Sequence, residues 1–134
     1  MSNHACVTET SRQIVTTFYA CIAAGNFDGV LACLHEDVEI HEPACLPYGG
    51  MYRGIEGAKR LFSEAPKHLD ISIFSIDAIV ADGDRVVGML RTAIVGTGEP
   101  LAVAEESIVR DGKIIRVRVF QFDPTLVISA AASR

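Results

Sequence analysis

The chain has 134 residues, of which 49% are hydrophobic and 22% charged, and its formal net charge is -5 at pH 7. This length and composition predict one globular domain over residues 1–134 and exclude a disordered chain. The acidic balance argues against nucleic acid and anionic membranes as partners, because both are negatively charged. The sequence has neither the roughly 20 apolar residues of a membrane span nor the basic and apolar regions of a signal peptide, so we expect a cytoplasmic protein.

The cysteine and histidine residues do not indicate a metal site or a disulfide framework. The chain has four cysteines and no C-x-x-C pair, which favours reduced thiols over a disulfide framework or a zinc site. His41 lies beside Glu42, but no third ligand follows at a suitable spacing. We therefore expect no metal site.

Helical patterns occupy most of the first half of the chain. Residues 10–13 have the form of a capping box, and apolar side chains recur at helical spacing over 14–22. Asn26 is a suitable cap for a second, short helix. A third helix is predicted at about 55–65, where Pro66 ends it.

Strand patterns dominate the second half. A short strand at 38–42 precedes a loop rich in glycine and proline at 43–54. Four more strands follow, joined at two of their turns by Asp-Gly pairs. They are predicted at about 69–80, 85–96, 100–110 and 113–123. The order of elements predicts an α+β domain with helices on one face of a curved antiparallel sheet.

The turn at 111–112 defines a predicted register for the last hairpin. In a two-residue type I′ loop Arg110 faces Lys113, and counting back places Glu106 opposite Val117. Glu106 then lies on an apolar face, where burial raises the pKa of a carboxyl group. We therefore expect Glu106 in the wall of a cavity.

The same register assigns the neighbouring residues to the two faces of the sheet. Ala104 lies opposite Val119 on the cavity side, and its small side chain leaves space there. Glu105 lies opposite Arg118 on the outer side. A register shift of one residue is the alternative, and it would move Glu106 to the outer face.

Glu42 is a second candidate acid, at the end of the short strand. Because it alternates with Glu39 and His41, it shares the apolar face of that strand. A carboxylate in such a position can act as a general base if the pocket raises its pKa. A salt bridge to Arg53 or Lys59 is the alternative interpretation.

The segment from His41 to Gly57 resembles the nuclear transport factor 2-like superfamily, in its branch of SnoaL-like polyketide cyclases and ketosteroid isomerase-like proteins. Residues 18–28, 112–114 and 122–124 resemble the same branch, so the resemblance covers nearly the whole chain. It implies a cone-shaped antiparallel sheet, with three helices packed on its concave face, in a cystatin-like roll. It also implies an apolar cavity between sheet and helices, and a homodimer through the outer face of the sheet.

The resemblance further implies roles for individual residues. A carboxylate before a proline moves the proton in ketosteroid isomerases, and a protonated carboxyl on the penultimate strand donates to the oxyanion; Glu42 and Glu106 hold these places. The first-helix tyrosine of that group is replaced by Phe18, and Tyr19 lies one residue on, about 100° around the helix. Asp123 is an alternative acid for chemistry of the polyketide-cyclase type.

The predicted pocket is lined by aromatic and small apolar residues. They are Phe18, Tyr19, Tyr48, Tyr52, Phe62, Ala104, Val117 and Val119. Tyr48 and Tyr52 are candidates to close the pocket and to donate hydrogen bonds in place of the missing tyrosine, or else they only pack. Epoxide hydrolysis is not expected, because residues 91–93 lack an aspartate that the epoxide hydrolase branch uses.

Three functions fit this sequence. One is a cofactor-free isomerase or cyclase that moves a proton next to the carbonyl of a small, mostly apolar molecule. Another is a binding module without catalysis. The last is a structural dimer whose cavity is filled by its own side chains, such as Met51, Leu61, Phe62 and Met89. A cavity below about 300 Å³ would favour this last function, because it is too small for most ligands.

Overall fold

The fold is described from a computed structural model for residues 2–134. The described chain forms four α-helices and six strands. They are α1 (Asn3–Ala24), α2 (Phe27–Ala32), β1 (Leu34–Glu42), β2 (Gly50–Arg53), α3 (Gly54–Glu64), β3 (Ser75–Asp82), β4 (Arg85–Ala93), β5 (Pro100–Arg110), β6 (Lys113–Gln121) and α4 (Thr125–Ala132). Within residues 2–134, no helix is both long and apolar enough to span a membrane.

The six strands form one sheet in the order β2-β1-β6-β5-β4-β3. The helices pack against one face of this sheet, so the predicted α+β class is confirmed. One pairing differs from the predicted antiparallel sheet, because β1 and β6 run parallel. The other described neighbours pair antiparallel. A long crossover through α3 and the β3–β5 meander brings β6 back beside β1, as a parallel pair requires.

The first helix begins earlier than the capping box predicts. Ser2 is its cap, and the Ser2 hydroxyl oxygen accepts a hydrogen bond from the Ala5 N–H at 3.1 Å. Residues 10–13 lie inside the helix, because no glycine or proline interrupts it before Gly25. Gly25, with φ of 69°, ends the helix in the left-handed conformation.

Two other segments differ from the prediction. Strand β3 begins at Ser75, because Ile71–Ile73 form a turn of 3-10 helix capped by the Asp70 side chain. The tail after Pro124 forms α4, whose Val127 is fully buried against the core. The 3-10 turn belongs to the wall of the cavity described below.

Candidate active site

The last hairpin has the predicted turn but not the predicted register. Both residues at 111–112 have positive φ, 54° and 75°, and Arg110 pairs with Lys113. The register then shifts at 108–109, where Ile115 is an extra residue in β6. Such a β-bulge displaces every pair further from the turn by one residue.

Because of the bulge, Glu105 and not Glu106 lies on the cavity face of the sheet. Glu106 pairs with Arg118, and Glu105 pairs with Val119. The prediction that Glu106 faces the cavity is therefore wrong, and the alternative of a one-residue shift is confirmed. Ala104, which we expected in the cavity wall, lies on the outer face with Glu106.

Glu42 and Glu105 lie on the same face of the sheet, on either side of β6. Val119 of β6 pairs with Glu105 of β5. On the other side, Ile40 of β1 pairs with Val117, so continuing the register by two residues places Glu42 beside Val119. Neighbouring strands are about 4.8 Å apart, so the backbones of the two acids are separated by about 10 Å. Both side chains reach into one cavity.

The cavity has a volume of about 90 Å³ and a mainly apolar wall. The apolar residues come from the helices, the 69–74 segment and the central strands: Ile22, Phe27, Leu61, Phe62, Ala65, Leu69, Ile71, Phe74, Leu90, Val103 and Val119. The polar and charged residues that line it are Glu42, Tyr48, Arg91, Thr92, Glu105 and Gln121. Residues 2–134 hold no group of three or more His, Cys, Asp or Glu placed to bind a metal ion.

The predicted pocket residues divide into two groups. Tyr48, Phe62 and Val119 line the cavity. The others, apart from Ala104, are core residues buried outside the cavity wall: Phe18, Tyr19, Tyr52 and Val117. Asp123, the alternative acid, also lies outside, because its carboxylate accepts hydrogen bonds from the Thr125 backbone and hydroxyl at the start of α4.

Glu42 lies where its strand pattern predicts, with a buried carboxyl oxygen, Oε2, that has no hydrogen-bond partner among the described residues. The alternative of a salt bridge is wrong. Arg53 pairs with Glu39 at 3.0 Å, and Lys59 pairs with Glu56 at 3.1 Å. Burial raises the pKa of Glu42 well above its usual value, and the nearby Glu105 carboxylate raises it further.

Glu105 is the acid that the sequence analysis placed on the wrong face. Burial raises its pKa to about 7, and the hydroxyl of Tyr19 opposes this shift. Tyr19 reaches the acid because Gly88, the partner of Glu105 on β4, has no side chain. A Cβ atom at Gly88 would lie only 2.5 Å from the Tyr19 hydroxyl oxygen. A first-helix tyrosine therefore does lie beside the acid of β5, although helical spacing did not make Tyr19 an obvious substitute.

The two loop tyrosines have different surroundings. Tyr52 donates its hydroxyl hydrogen to the backbone carbonyl of Tyr48 at 2.8 Å. The hydroxyl of Tyr48 accepts a hydrogen bond from Gln121 Nε2 at 2.9 Å and keeps its own hydrogen for another partner. Burial, and then the charge of Glu42, raise the pKa of Tyr48, so it is a donor at neutral pH. The Tyr48 hydroxyl can therefore donate a hydrogen bond to a ligand, whereas the Tyr52 hydroxyl stabilises the loop through the carbonyl of Tyr48.

A curved sheet with helices around an apolar cavity is the architecture of NTF2-like proteins, and the comparisons with known proteins agree. The SnoaL-like domain family matches residues 15–117. The chain therefore belongs to the SnoaL-like domain family, and the family resemblance is confirmed.

Similar solved structures share the fold over nearly the full chain. An NTF2-like protein from Burkholderia thailandensis E264 is 29% identical with a TM-score of 0.76, covering 90% of this chain and 96% of that one. An NTF2-like protein from Burkholderia xenovorans LB400 is 25% identical with a TM-score of 0.75, covering 92% and 96%. TerC, co-crystallised with polyporic acid, is 25% identical with a TM-score of 0.75, covering 89% and 98%. Among curated proteins, none matches the chain.

Proposed function

We propose that this protein is a cofactor-free acid/base enzyme that moves a proton next to the carbonyl group of a small, mostly apolar molecule. The observation that carries the proposal is the pair of carboxyl groups, Glu42 and Glu105, in one apolar cavity. Burial raises the pKa of both, and the charge of Glu105 raises that of Glu42 further. Two such groups titrate as a pair, so the pair holds one proton over a range of pH.

A carboxylate and a neutral carboxyl group are together sufficient for enolisation. The carboxylate takes a proton from the carbon next to the carbonyl, while the carboxyl group donates a hydrogen bond to the carbonyl oxygen, where negative charge develops. Tyr48 offers a second donor in the same wall. Return of the proton to another carbon gives isomerisation, and attack of the enolate carbon on a second carbonyl of the molecule gives cyclisation.

The volume of the cavity restricts the substrate. About 90 Å³ is much less than the volume of sites that bury a drug-sized ligand, which is roughly 300–1,000 Å³. It is also less than a cavity of about 150 Å³ that binds benzene. We therefore propose that the cavity holds only a carbonyl group and a few carbons, either as a whole small molecule or as the reacting end of a larger one.

The small volume also favours a second candidate, a domain of this fold without catalysis. Leu61 and Phe62 do line the cavity, as expected for a cavity filled by its own side chains. Met51 and Met89 do not contribute, because they are 36% and 45% exposed elsewhere on the surface. The side chains of the protein therefore fill the cavity only in part. Such filling does not explain why two acids, Glu42 and Glu105, line the cavity.

The proposal is tested by the exchange of α protons of small ketones for deuterium. Acetone and cyclopentanone are incubated with the protein in D2O near neutral pH, and the loss of their α-proton signals is followed by proton NMR. We expect the protein to accelerate the exchange over buffer. Glu42→Gln and Glu105→Gln should each reduce this acceleration by about 10²-fold or more, because each removes one partner of the acid/base pair.

Glu106→Gln is the matched control, with the same change on the same strand but on the outer face. It should leave the exchange rate within about 3-fold of wild type, because surface changes remote from the cavity have small effects. If no ketone exchanges faster than in buffer, or if neither cavity variant slows the exchange, the enzyme proposal is wrong. Ketone-induced shifts of the Val103 and Val119 methyl signals without exchange would then support the binding module.

We also propose that the outer face of the sheet pairs with a second copy of the chain. Phe120 and Phe122 are 50% and 90% exposed, and large exposed aromatic side chains mark association surfaces. Glu106 and Arg118 on the same face offer each copy both signs of charge. Light scattering after size exclusion should give twice the chain mass, and Phe122→Ser should lower it. A monomeric wild-type protein would contradict this.

A further inference from the structure

Two buried hydroxyl groups lie on the Glu105 side of the acid pair. Neither the Tyr19 Oη nor the Ser107 Oγ has a hydrogen-bond partner of standard geometry among the described residues. Gly88 and Glu105 pair across β4 and β5, and the Cβ positions of such a pair are roughly 5 Å apart. The Tyr19 hydroxyl oxygen lies 2.5 Å from the Cβ position of Gly88, so the Glu105 carboxyl is within its reach.

Buried donors without acceptors favour a negative charge beside them. Leaving a hydroxyl unpaired in the interior is costly, and an ionised carboxylate is the strongest acceptor that a protein offers. The Tyr19 hydroxyl is placed to donate to an ionised Glu105, and Ser107 can donate to the Tyr19 oxygen in turn. This arrangement stabilises the charged form of Glu105 more than its neutral form.

Glu42 has no comparable donor. Its Oε2 is buried without a partner among the described residues, and Tyr48, which lines the same cavity, makes no hydrogen bond to it. The charge on Glu105 disfavours a second charge on Glu42. The two acids of the pair therefore have unequal surroundings, because Tyr19 interacts with Glu105, whereas no described side chain donates to the Oε2 of Glu42.

We propose that Glu105, and not Glu42, carries the negative charge of the pair and takes the α proton, with Tyr19 as its positioning residue. Glu42 then holds the shared proton and donates it as a hydrogen bond to the carbonyl oxygen. After the transfer the proton is on Glu105 and the negative charge is on the enolate oxygen. This assignment rests on the proposed function, and it differs from the family resemblance, which implies that Glu42 moves the proton and that Glu106 is the protonated donor.

The other titratable groups around Glu105 agree with this assignment. Tyr19 faces it from α1, Glu42 from β1 and Tyr48 from the loop after β1. Arg91 of β4 pairs with Ala102, so its side chain lies on the outer face, where it forms an ion pair with Asp77 of β3 at 2.6 Å. Burial raises the pKa of both acids, to about 7 for Glu105, and the charge of Glu105 raises the pKa of Glu42 further.

Carbon-detected NMR of the glutamate side-chain carboxyls tests the assignment without a substrate. The two signals are assigned with Glu42→Gln and Glu105→Gln, and the wild-type protein is titrated from about pH 5 to pH 9. We expect the Glu105 carboxyl to ionise first, near neutral pH, while Glu42 remains protonated. Ionisation of Glu42 before Glu105 would overturn the proposal.

Tyr19→Phe tests the positioning role. It should move the titration of Glu105 higher by roughly one to two pH units, the equivalent of one hydrogen bond to a charged group. Tyr52→Phe is the control, because its hydroxyl donates to a backbone carbonyl, and it should leave the Glu105 titration in place. An unchanged titration in Tyr19→Phe would remove Tyr19 from the assignment.

The ketone exchange separates this proposal from the proposed function. If Glu105 ionises first but no ketone exchanges, the order of ionisation is right and the enzyme proposal is wrong. If ketones exchange but Glu42 ionises first, the enzyme proposal holds and the choice of Glu105 as the base is wrong. If both hold, the pH profile of exchange should rise with the ionisation of Glu105, and in Tyr19→Phe it should move to higher pH with that titration.

Discussion

Glu105 and Glu106 are neighbours in β5 with opposite surroundings. Glu105 lies in the wall of an apolar cavity. Glu106 lies on the outer face, with its carboxylate 3.5 Å, 3.6 Å and 3.9 Å from the guanidinium groups of Arg85, Arg116 and Arg118. Burial without a counter-ion disfavours the charge of the inner acid, whereas three nearby positive charges favour the charge of the outer acid. In a strand, the face of the sheet decides the chemistry of a residue as much as its type does.

The largest expected difference between the two acids is in the pH dependence of stability. The pKa of Glu105 is about 7 in the folded chain against a usual value of 4.5, so between these values the folded state binds more protons than the unfolded state. This difference in proton binding stabilises the folded state. The stabilisation is fully present below about pH 4.5 and is lost as the pH rises through about 7. It amounts to about 3 kcal/mol in the free energy of unfolding.

Urea unfolding at pH 5 and pH 8 measures this difference. Wild type should be less stable at pH 8 than at pH 5. Glu105→Gln should reduce this loss of stability between the two pH values, because the amide does not ionise. Glu106→Gln should keep the wild-type fall. Equal stability of the wild-type protein at the two pH values would break the comparison, since it would show that Glu105 is solvated like a surface acid.

A smaller effect on stability is expected when the space at Gly88, through which the Tyr19 hydroxyl reaches Glu105, is filled. The Cβ atom of Gly88→Ala would lie 2.5 Å from the Tyr19 hydroxyl oxygen and 2.6 Å from a ring carbon. We expect a loss of roughly 1–3 kcal/mol in the free energy of unfolding, as is typical of overpacking. Thermal or urea unfolding measures this loss.

The outer face provides the control for that substitution. Val87 precedes Gly88 on β4 and pairs with Glu106 instead of Glu105. Val87→Ile adds one carbon on that side and should change stability by less than about 0.5 kcal/mol, as surface substitutions usually do. If Gly88→Ala proves as mild as Val87→Ile, Tyr19 does not need the space that the structure gives it.

The sequence predicted most of the fold because local signals and packing agree in most elements. The Asp-Gly turn at 111–112 formed as expected, and alternation in β1 placed Glu42 on the cavity face. The fate of Tyr19 could not be predicted in the same way. Its hydroxyl reaches the sheet only because Gly88, distant in sequence, has no side chain. Helical spacing gives the direction of a side chain, but not the space that receives it.

Glu105 was missed because a register counted from a turn does not include a bulge. A signal for the bulge is present in β6, where buried Ile114 and Val117 are three residues apart and cannot share one face of a regular strand. In β5 the buried Leu101 and Val103 have the same parity as Glu105. Matching the larger apolar residues of both strands, instead of counting from the turn, would have placed Glu105 inside.

The smallest expected effect is the loss of the outer acid itself. Glu106 is 17% exposed, but its three arginines are 58%, 40% and 50% exposed, so solvent screens the attraction. We expect Glu106→Gln to cost about 1 kcal/mol at low ionic strength. The cost should shrink in about 1 M NaCl, where charges are screened within about 3 Å. The cost of Glu105→Gln at a fixed pH should change less with salt, because the inner acid has no exposed counter-ion. A salt-independent cost for Glu106→Gln would show that hydrogen bonding and packing, and not charge, hold the outer acid, and the contrast between the two faces would then be one of polarity alone.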